Sequence, residues 1–342
     1  MQNNSQTTRP ARVQDAEQLA SLFQRAYGES SHPCQDAEYL RRFIADQRNI
    51  YLVEVCEDGV VAGMGVTYHQ WHDACEWSHG VTYPEHRRTG IAERLTRQAH
   101  AACCARQQGD LFLGLPRGQR TFKIGTEVVN PRMVMTGHDG GMNVANGTRE
   151  IHVTLVARLP QVRFTHITPD VDEITNSAAV QETVWQPLRL RANPGAYPNV
   201  SFVGPTANTL KQEQGFSFSF DSACPSRALE IRGFSDKPNN PQQICRALDG
   251  LLAAYPTAEH ISANVLADKV QLIRGMREMG FELPAYLPAW YKVNNARYDC
   301  VKLVKRRCAE EPDANGFAPM IASLKEAFAN LYVHQSAREV NV

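Results

Sequence analysis

Residues 81–104 read Val-Thr-Tyr-Pro-Glu-His-Arg-Arg-Thr-Gly-Ile-Ala-Glu-Arg-Leu-Thr-Arg-Gln-Ala-His-Ala-Ala-Cys-Cys. A strand ends at Pro84, a short turn carries Arg87, Arg88 and Gly90, and a helix begins at about Gly90. Ile91, Leu95, Ala99, Ala102 and Cys103 have the spacing of one buried helix face. The first amide N–H groups of a helix have no intrahelical partner, and the helix dipole favours negative charge there. Gly90 has no Cβ, so the backbone at the turn can approach a ligand closely. Strand, glycine turn and helix N-terminus together make an anion site.

Composition bounds the rest. With 342 residues, 43% hydrophobic and 21% charged, the chain reads as globular, long enough for two domains and able to bury a sizeable core. Lys+Arg and Asp+Glu are equal at 36 each, which argues against nucleic acid or a membrane surface as the partner of the whole chain. No apolar run approaches the ~18 residues that span a bilayer. The first nine residues are polar, so no signal peptide is read and the expected location is the cytoplasm. Nine cysteines without a repeated C-x-x-C spacing are expected as free thiols.

Taken in order, residues 1–10 lead into a strand near Arg9–Val13. Asp15 can cap a helix that buries Leu19, Leu22, Phe23 and Ala26, and Asp36 starts another with Leu40 and Phe43 inward. Strands Tyr51–Cys56 and Val60–Tyr68 join through Glu57-Asp58-Gly59, a hairpin signal. A strand over Cys75–Tyr83 feeds the glycine turn. After the long helix come a strand at Leu111–Leu115, a helix near Gln119–Ile124, and strands near Arg132–Thr136 and Glu150–Arg158. Pro160 and Thr168-Pro169-Asp170 mark a linker and a helix start. A helix is expected over 170–184, loops over 186–215 with a short strand at Val200–Val203, and strands at Phe216–Phe220 and Ala228–Phe234. A helix over Pro241–Tyr255, a strand Ile261–Val265, a helix Val270–Met279 and strands Tyr286–Val293 and Tyr298–Val304 follow. A terminal helix places Phe317, Ile321, Leu324, Phe328 and Leu331 on one stripe, expected to dock on its own protein.

The spacing Arg87-x-x-Gly90-x-Ala92 resembles the pyrophosphate signature Q/R-x-x-G-x-G/A of the GNAT superfamily of N-acyltransferases. The wording around it, Val81-x-x-Pro84-Glu85-x-Arg87-x-x-Gly90-Ile91-Ala92, is similar to that family's strand-to-helix junction. The resemblance covers roughly residues 8–159 and implies an α/β (α+β) fold, a mixed, mostly antiparallel sheet flanked by helices. Residues 25–28, followed by His32-Pro33, look like the region that lines the acceptor site. The order of elements after 170 resembles the back half of the same fold, with Gly280-Phe281 before two strands as the usual ending. There the glycine turn is missing: Ser235-Asp236-Lys237-Pro238-Asn239-Asn240 stands in its place. The expected organisation is a GNAT domain over 1–159, a degenerate GNAT-like domain over 160–308 that does not bind the cofactor, and a C-terminal helix and tail over 309–342.

The resemblance implies direct transfer of an acyl group from coenzyme A to an amine, with acetyl-CoA as co-substrate. The strand before the turn, with Gly80, Val81 and Thr82, would supply backbone groups to pantetheine and the thioester oxygen. Arg87, Arg88, Thr89, Gly90, Ile91 and Ala92 would hold the pyrophosphate, in a positive field shared by Arg94 and Arg97. The amine must lose a proton, so a base is needed. Glu76 and His79 are the candidates, Glu76 preferred; positions three apart on a regular strand face opposite ways unless a bulge intervenes. The family's acid is a tyrosine four residues before the glycine that ends the helix after the fifth strand. Here that glycine is Gly125 and the matching position is Thr121, with Thr126 in place of the usual following aromatic. Tyr68 and Tyr83 are alternatives that nothing selects.

His69, His72, Cys75 and His79 lie close enough in sequence to be weighed as zinc ligands, but no C-x-x-C pairs them and no metal is expected. Cys103 and Cys104 diverge around their helix and are not expected as a redox pair. The expected partner is a small-molecule amine, without nucleic acid or membrane, and a homodimer is left open. Two functions follow: an N-acetyltransferase with one active lobe, or a non-catalytic tandem scaffold that binds acyl-CoA or a partner protein.

Overall fold

A computed structural model describes residues 7–30, 32–116, 118–128, 133–142, 149–160, 163–206, 210–222, 227–235, 240–308 and 316–333; for 133–142, 149, 151 and 152 it describes the backbone path alone. Contacts divide the chain into two compact units. The first is built from residues up to Met133 together with Thr154–Arg163, the second from Val134–Met142, Arg149–Val153 and Phe164 onward.

The chain begins with β1 (Thr7–Pro10), α1 (Ala16–Tyr27), α2 (Ala37–Ala45), β2 (Ile50–Cys56), β3 (Gly59–His69) and β4 (Ala74–Thr82). Then come α3 (Ile91–Arg106), β5 (Leu111–Gly114), α4 (Gln119–Val128), β6 (Met133–Met142) and β7 (Arg149–Arg158). The strand order is β1-β2-β3-β4-β5-β7-β6. The β1–β2, β2–β3, β3–β4 and β5–β7 pairs are antiparallel, and β4 and β5 run parallel. A parallel pair needs a crossover between its strands, and α3 supplies it.

Burial shows why both faces are covered. On β2, Ile50 and Leu52 pack with Ile91, Leu95, Ala99 and Cys103 of α3. Tyr51 and Val53 point the other way, onto Leu19, Leu22 and Phe23 of α1 and Leu40 and Phe43 of α2. Period-two alternation thus gives one strand two cores. The β2–β3 hairpin turns through Glu57-Asp58, with Cys56 opposite Gly59. Asp36 caps α2 by accepting the Glu38 N–H at 2.8 Å. Asp15 precedes α1 without a side-chain cap bond. Its carboxylate is taken instead by Arg9, at 2.7 and 2.8 Å, and by the Arg12 N–H. The guanidinium holds this carboxyl below its usual range.

After β7 the second unit continues with β8 (Thr165–Ile167), α5 (Asp172–Thr175), α6 (Ala178–Val180), a π turn at Gln181–Trp185, β9 (Phe202–Val203), β10 (Lys211–Glu213) and β11 (Phe216–Asp221). It continues with β12 (Ala228–Phe234), α7 (Pro241–Ala254), β13 (His260–Leu266), α8 (Val270–Glu278), β14 (Glu282–Val293), β15 (Ala296–Arg306) and α9 (Ala318–Phe328). The helix expected over 170–184 is broken. Asn176 leaves helical geometry, and Ser177 starts a new turn by accepting the Val180 N–H. The α9 stripe is buried within its own unit, Phe328 lying 6.4 Å from Tyr286.

The order β10-β11-β12-β13-β15-β14 repeats β2-β3-β4-β5-β7-β6. Here too a parallel pair, β12 with β13, is joined by one helix, α7, and β8 adds a second parallel pairing, on β15. One difference stands at the fork beyond that pair. Strand β9 pairs with β13 at Asn264 and Val265, and Phe202 and Val203 are buried there. A Cβ on Gly204 would stand 2.9 Å from Arg232 Cδ of β12, so this segment lies tight against β12 as well. Of the expected glycine-free turn at 235–240, residues 236–239 lie outside the described residues.

A buried carboxylate organises the end of this unit. Asp299 accepts from Trp185 Nε1 at 3.0 Å, Tyr286 OH at 2.6 Å and the Ala289 N–H at 2.7 Å, and pairs with His166 Nε2 at 2.7 Å. Burying a carboxylate is costly unless donors surround it, and four donors do so here. Among the described residues no helix is long and apolar enough to cross a membrane.

Candidate functional site

The site begins where two strands part. β4 pairs with β5 from Ala74 to Trp77, opposite Leu111 to Gly114. β5 then ends, while β4 runs on through Ser78–Thr82 with no strand partner on that side among the described residues. Backbone polar groups on this stretch must find partners other than a strand; the Tyr51 hydroxyl donates to His79 O at 3.2 Å and the Tyr27 hydroxyl to Gly80 O at 3.1 Å.

A bulge sits on the same stretch. Gly63 faces Val81 and Gly65 faces Ser78, so His79 and Gly80 together stand against Met64. His79 takes a left-handed conformation, φ 51°. A Cβ on Gly65 would meet His79 Cβ at 3.2 Å, so glycine at 65 leaves room for the bulged residue. The bulge resets the alternation of side chains. Glu76 and His79, which a regular strand would turn apart, line the same cavity of about 780 Å³.

The expected anion turn borders that cavity. Gly80, Val81, Thr82, Arg87, Arg88, Gly90, Ile91 and Ala92 all line it, as does His86. Thr89 is not among the lining residues; its hydroxyl donates to His86 O at 2.7 Å and closes the turn. Gly90 is the N-cap of α3, at φ 79°, and no side chain caps the helix. The first-turn amides are therefore left for an anion. The positive field is built differently from the sequence expectation. Arg94 is held by the buried Glu54 at 2.6 Å and Arg97 by Glu93 at 2.8 Å, and neither lines the cavity. Arg120 and Lys123 of α4 line it instead. Their i,i+3 spacing puts them on one helix face, a signal readable only once α4 is known to face this way.

At the base candidates, Glu76 Oε2 lies 2.7 Å from His69 Nε2. His79 packs edge-on against Phe43, ring centroids 4.8 Å apart, and its Nε2 lies 3.1 Å from the Tyr39 hydroxyl. Desolvation pushes the imidazole down to about 4, against the opposing pull of Glu76, so the ring is neutral near pH 7. The same burial pushes the Tyr39 hydroxyl up to about 12, keeping it protonated. Tyr39 and Phe43 come from α2, far from β4 in sequence, and nothing in the local pattern pointed to them.

The acid candidates fare otherwise. Gly125 does not end its helix: α4 continues to Val128, with the Thr126 hydroxyl bonded back to Phe122 O at 3.1 Å. The anchor for position 121 is thus lost, although Thr121 does line the cavity, its hydroxyl on Gly118 O at 2.9 Å. Tyr68 donates to Asp73 at 2.8 Å and Tyr83 lies under Arg25. Neither lines the cavity. Tyr27 does, its hydroxyl donating to Gly80 O at 3.1 Å.

His69, His72, Cys75 and His79 do not converge. His69 engages Glu76, buried Cys75 donates to Gln108 O at 3.3 Å, and His79 joins Tyr39. A different trio, His32, Cys34 and His79, has ligand atoms within 4.8 Å of one another. Two of its nitrogens are engaged, His32 Nδ1 by the Cys34 N–H at 3.1 Å and His79 Nε2 by Tyr39. Burial pushes the Cys34 thiol up, away from the thiolate a metal requires.

Comparison with known proteins adds a family. Residues 16–113 match the model of the Acetyltransferase (GNAT) family, which marks a GNAT domain in this part of the chain. Among solved structures, the ribosomal-protein-S5-alanine acetyltransferase of Vibrio fischeri aligns at 17% identity, covering 47% of this chain and 97% of its own, with a TM-score of 0.38. The spermidine N-acetyltransferase of Vibrio cholerae, solved with CoA and spermine, aligns at 16% identity over 46% and 97%, with a TM-score of 0.37. Curated protein sequences gave no match.

Proposed function

We propose that the GNAT domain is an acyl-CoA-dependent N-acyltransferase, with acetyl-CoA as co-substrate and a small-molecule amine as acceptor. The observation that carries this reading is the coincidence, on one cavity, of a β4 edge without a strand partner among the described residues, the uncapped N-terminus of α3 and the Glu76 carboxylate. Pantetheine would lie along Ser78–Thr82 and replace the missing strand with its amides. The pyrophosphate would sit on the amides after Gly90, in the field of Arg87, Arg88, Arg120 and Lys123.

Glu76 is the base in this reading. His69 engages Oε2, so the carboxylate is oriented and Oε1 can take a proton. His79 is a poorer base: it is desolvated and hydrogen-bonded to Tyr39. The ammonium gives one proton to Glu76, and the free amine attacks the thioester carbon. Negative charge on the thioester oxygen is met by a backbone N–H of the bulge. The C–S bond then breaks, and the thiolate takes the second amine proton. A thiol with pKa near 8.5, by analogy with cysteine, leaves without strong acid help.

The domains divide accordingly: 1–159 for acyl-CoA and catalysis, 160–308 as a GNAT-like repeat that takes no coenzyme A, and 309–342 as a terminal helix and tail. The support for an idle second unit is β9, which occupies the β12–β13 fork as pantetheine would occupy the β4–β5 fork. No metal is required, and the cytoplasm is the proposed location. The second reading, an acyl-CoA-binding scaffold without turnover, draws on one observation: the cavity tyrosine, Tyr27, has its hydroxyl on Gly80 O and supplies no obvious acid. Thiol release from acetyl-CoA, with and without amines, decides between them. Amine-dependent release supports the transferase; tight acetyl-CoA binding with no release supports the scaffold.

A further inference from the structure

Resting on the transferase reading, we infer that the acceptor is an arylalkylamine: one primary amine carried on a flat aromatic body. The cavity near Glu76 is walled by rings. Tyr27 and His32 lie parallel, centroids 5.5 Å and planes 3° apart, and His32 stacks on Phe23 at 4.7 Å. His79 stands edge-on to His32 at 6.2 Å. Opposite the end of β5, Trp77 lies against Gly114, where an added Cβ would meet its ring at 3.3 Å. Leu115 and Pro116, which follow Gly114, line the cavity too.

The polar tips of these rings are turned to the protein. Tyr27 OH donates to Gly80 O, and His32 Nδ1 accepts the Cys34 N–H. What the walls offer is ring face and edge, held in fixed orientation, which suits offset or edge-on packing of another ring.

Charge sets the number of cationic nitrogens. Among the described residues three carboxylates line the cavity: Glu76, Glu93 and Glu127. Glu93 is engaged by Arg97 at 2.8 Å, and Glu127 faces Lys123 at 3.7 Å. Glu76, among the described residues, is paired with the imidazole of His69. The other charged groups described on the cavity wall are Arg87, Arg88, Arg120 and Lys123, which repel a second ammonium. A polyamine or an aminoglycoside needs a carboxylate for each of several ammonium groups, and this cavity has one to spare.

The test compares kcat/KM for phenethylamine, hexylamine, spermidine and an aminoglycoside at saturating acetyl-CoA, read as thiol release. Phenethylamine is expected to exceed hexylamine by ~10-fold, the worth of one aromatic contact. It should exceed spermidine by ~100-fold, since a second ammonium is left unpaired beside like charges. Leu115→Glu adds a carboxylate at the wall and should move the phenethylamine-to-spermidine ratio ~10-fold toward spermidine. Equal or better use of hexylamine, spermidine or the aminoglycoside overturns the inference. Calorimetry of the same amines on protein loaded with coenzyme A separates the two levels. Selective binding of phenethylamine without turnover supports the acceptor class and sinks the transferase reading; no binding and no turnover sinks both.

Discussion

Replacing Gly90 by glutamate tests the anion site by charge alone, provided glutamine is the control. Both residues would sit in the left-handed region, at φ 79°, and both bear the same strain, about 1–2 kcal/mol for a non-glycine residue there. Space is not the obstacle: the nearest atom to an added Cβ is Arg94 Nη1 at 3.6 Å, on a side chain held by Glu54. What differs is one negative charge at the mouth of α3. At ~5 Å from a phosphate charge the repulsion is about 0.8 kcal/mol in water, so two pyrophosphate charges give about 1.7 kcal/mol. That is a ~20-fold weaker Kd for coenzyme A, rising to ~250-fold if the local dielectric is half that of water. Isothermal titration of both variants, with circular dichroism to show that they fold, gives the ratio. Raising salt should shrink it, because these charges are exposed to solvent. Equal dissociation constants for Gly90→Glu and Gly90→Gln would show that no phosphate binds at this helix, and the placement of coenzyme A would have to be abandoned.

Glu76→Gln should lower turnover by ~10²–10⁴-fold with little change in acetyl-CoA affinity, and raising the pH should recover part of the loss as free amine increases; a fully active variant would move the base elsewhere. Calorimetry should find one coenzyme A site per chain, because β9 fills the fork of the second unit; two sites of similar affinity would contradict the idle repeat. Asp299→Ala removes the acceptor of Trp185, Tyr286, Ala289 and His166 together, and urea melts should show a loss of about 3–5 kcal/mol; a loss under 1 kcal/mol would mean the network is not what holds this core. His79 has its pKa lowered from 6.5 to about 4, so the unfolded chain binds the proton first. Its contribution is therefore complete above pH ~6.5 and lost as pH falls toward ~4, by up to about 3 kcal/mol. His79→Asn, which tolerates left-handed geometry, should flatten the dependence between pH 7.5 and 5, and an unchanged slope would assign it to other groups.

Much of this was legible in the chain by itself. Whether a segment is helix or strand depends on contacts a few residues long, and periodicity records them. Ile91, Leu95, Ala99 and Cys103 announced the buried face of α3, and Asp58-Gly59 announced the hairpin. The glycine turn into α3 was readable for the same reason, since Arg87, Gly90 and the first turn of α3 are neighbours in sequence. Tertiary structure decided what depends on distant partners. Whether β4 alternates or bulges at His79 depends on its register against β3 and on the space left at Gly65, so local spacing gave the wrong facing for His79 and Glu76. Which arginines serve the cavity depends on which already have carboxylates: Glu54 lies forty residues from Arg94 and captures it, while Arg120 and Lys123 arrive on a separate helix. The resemblance placed a helix end at Gly125, but α4 runs through it, since a glycine's freedom permits a stop without requiring it. The fork of the second unit is closed by β9, whose two paired residues carry too little pattern to predict a strand partner sixty residues away.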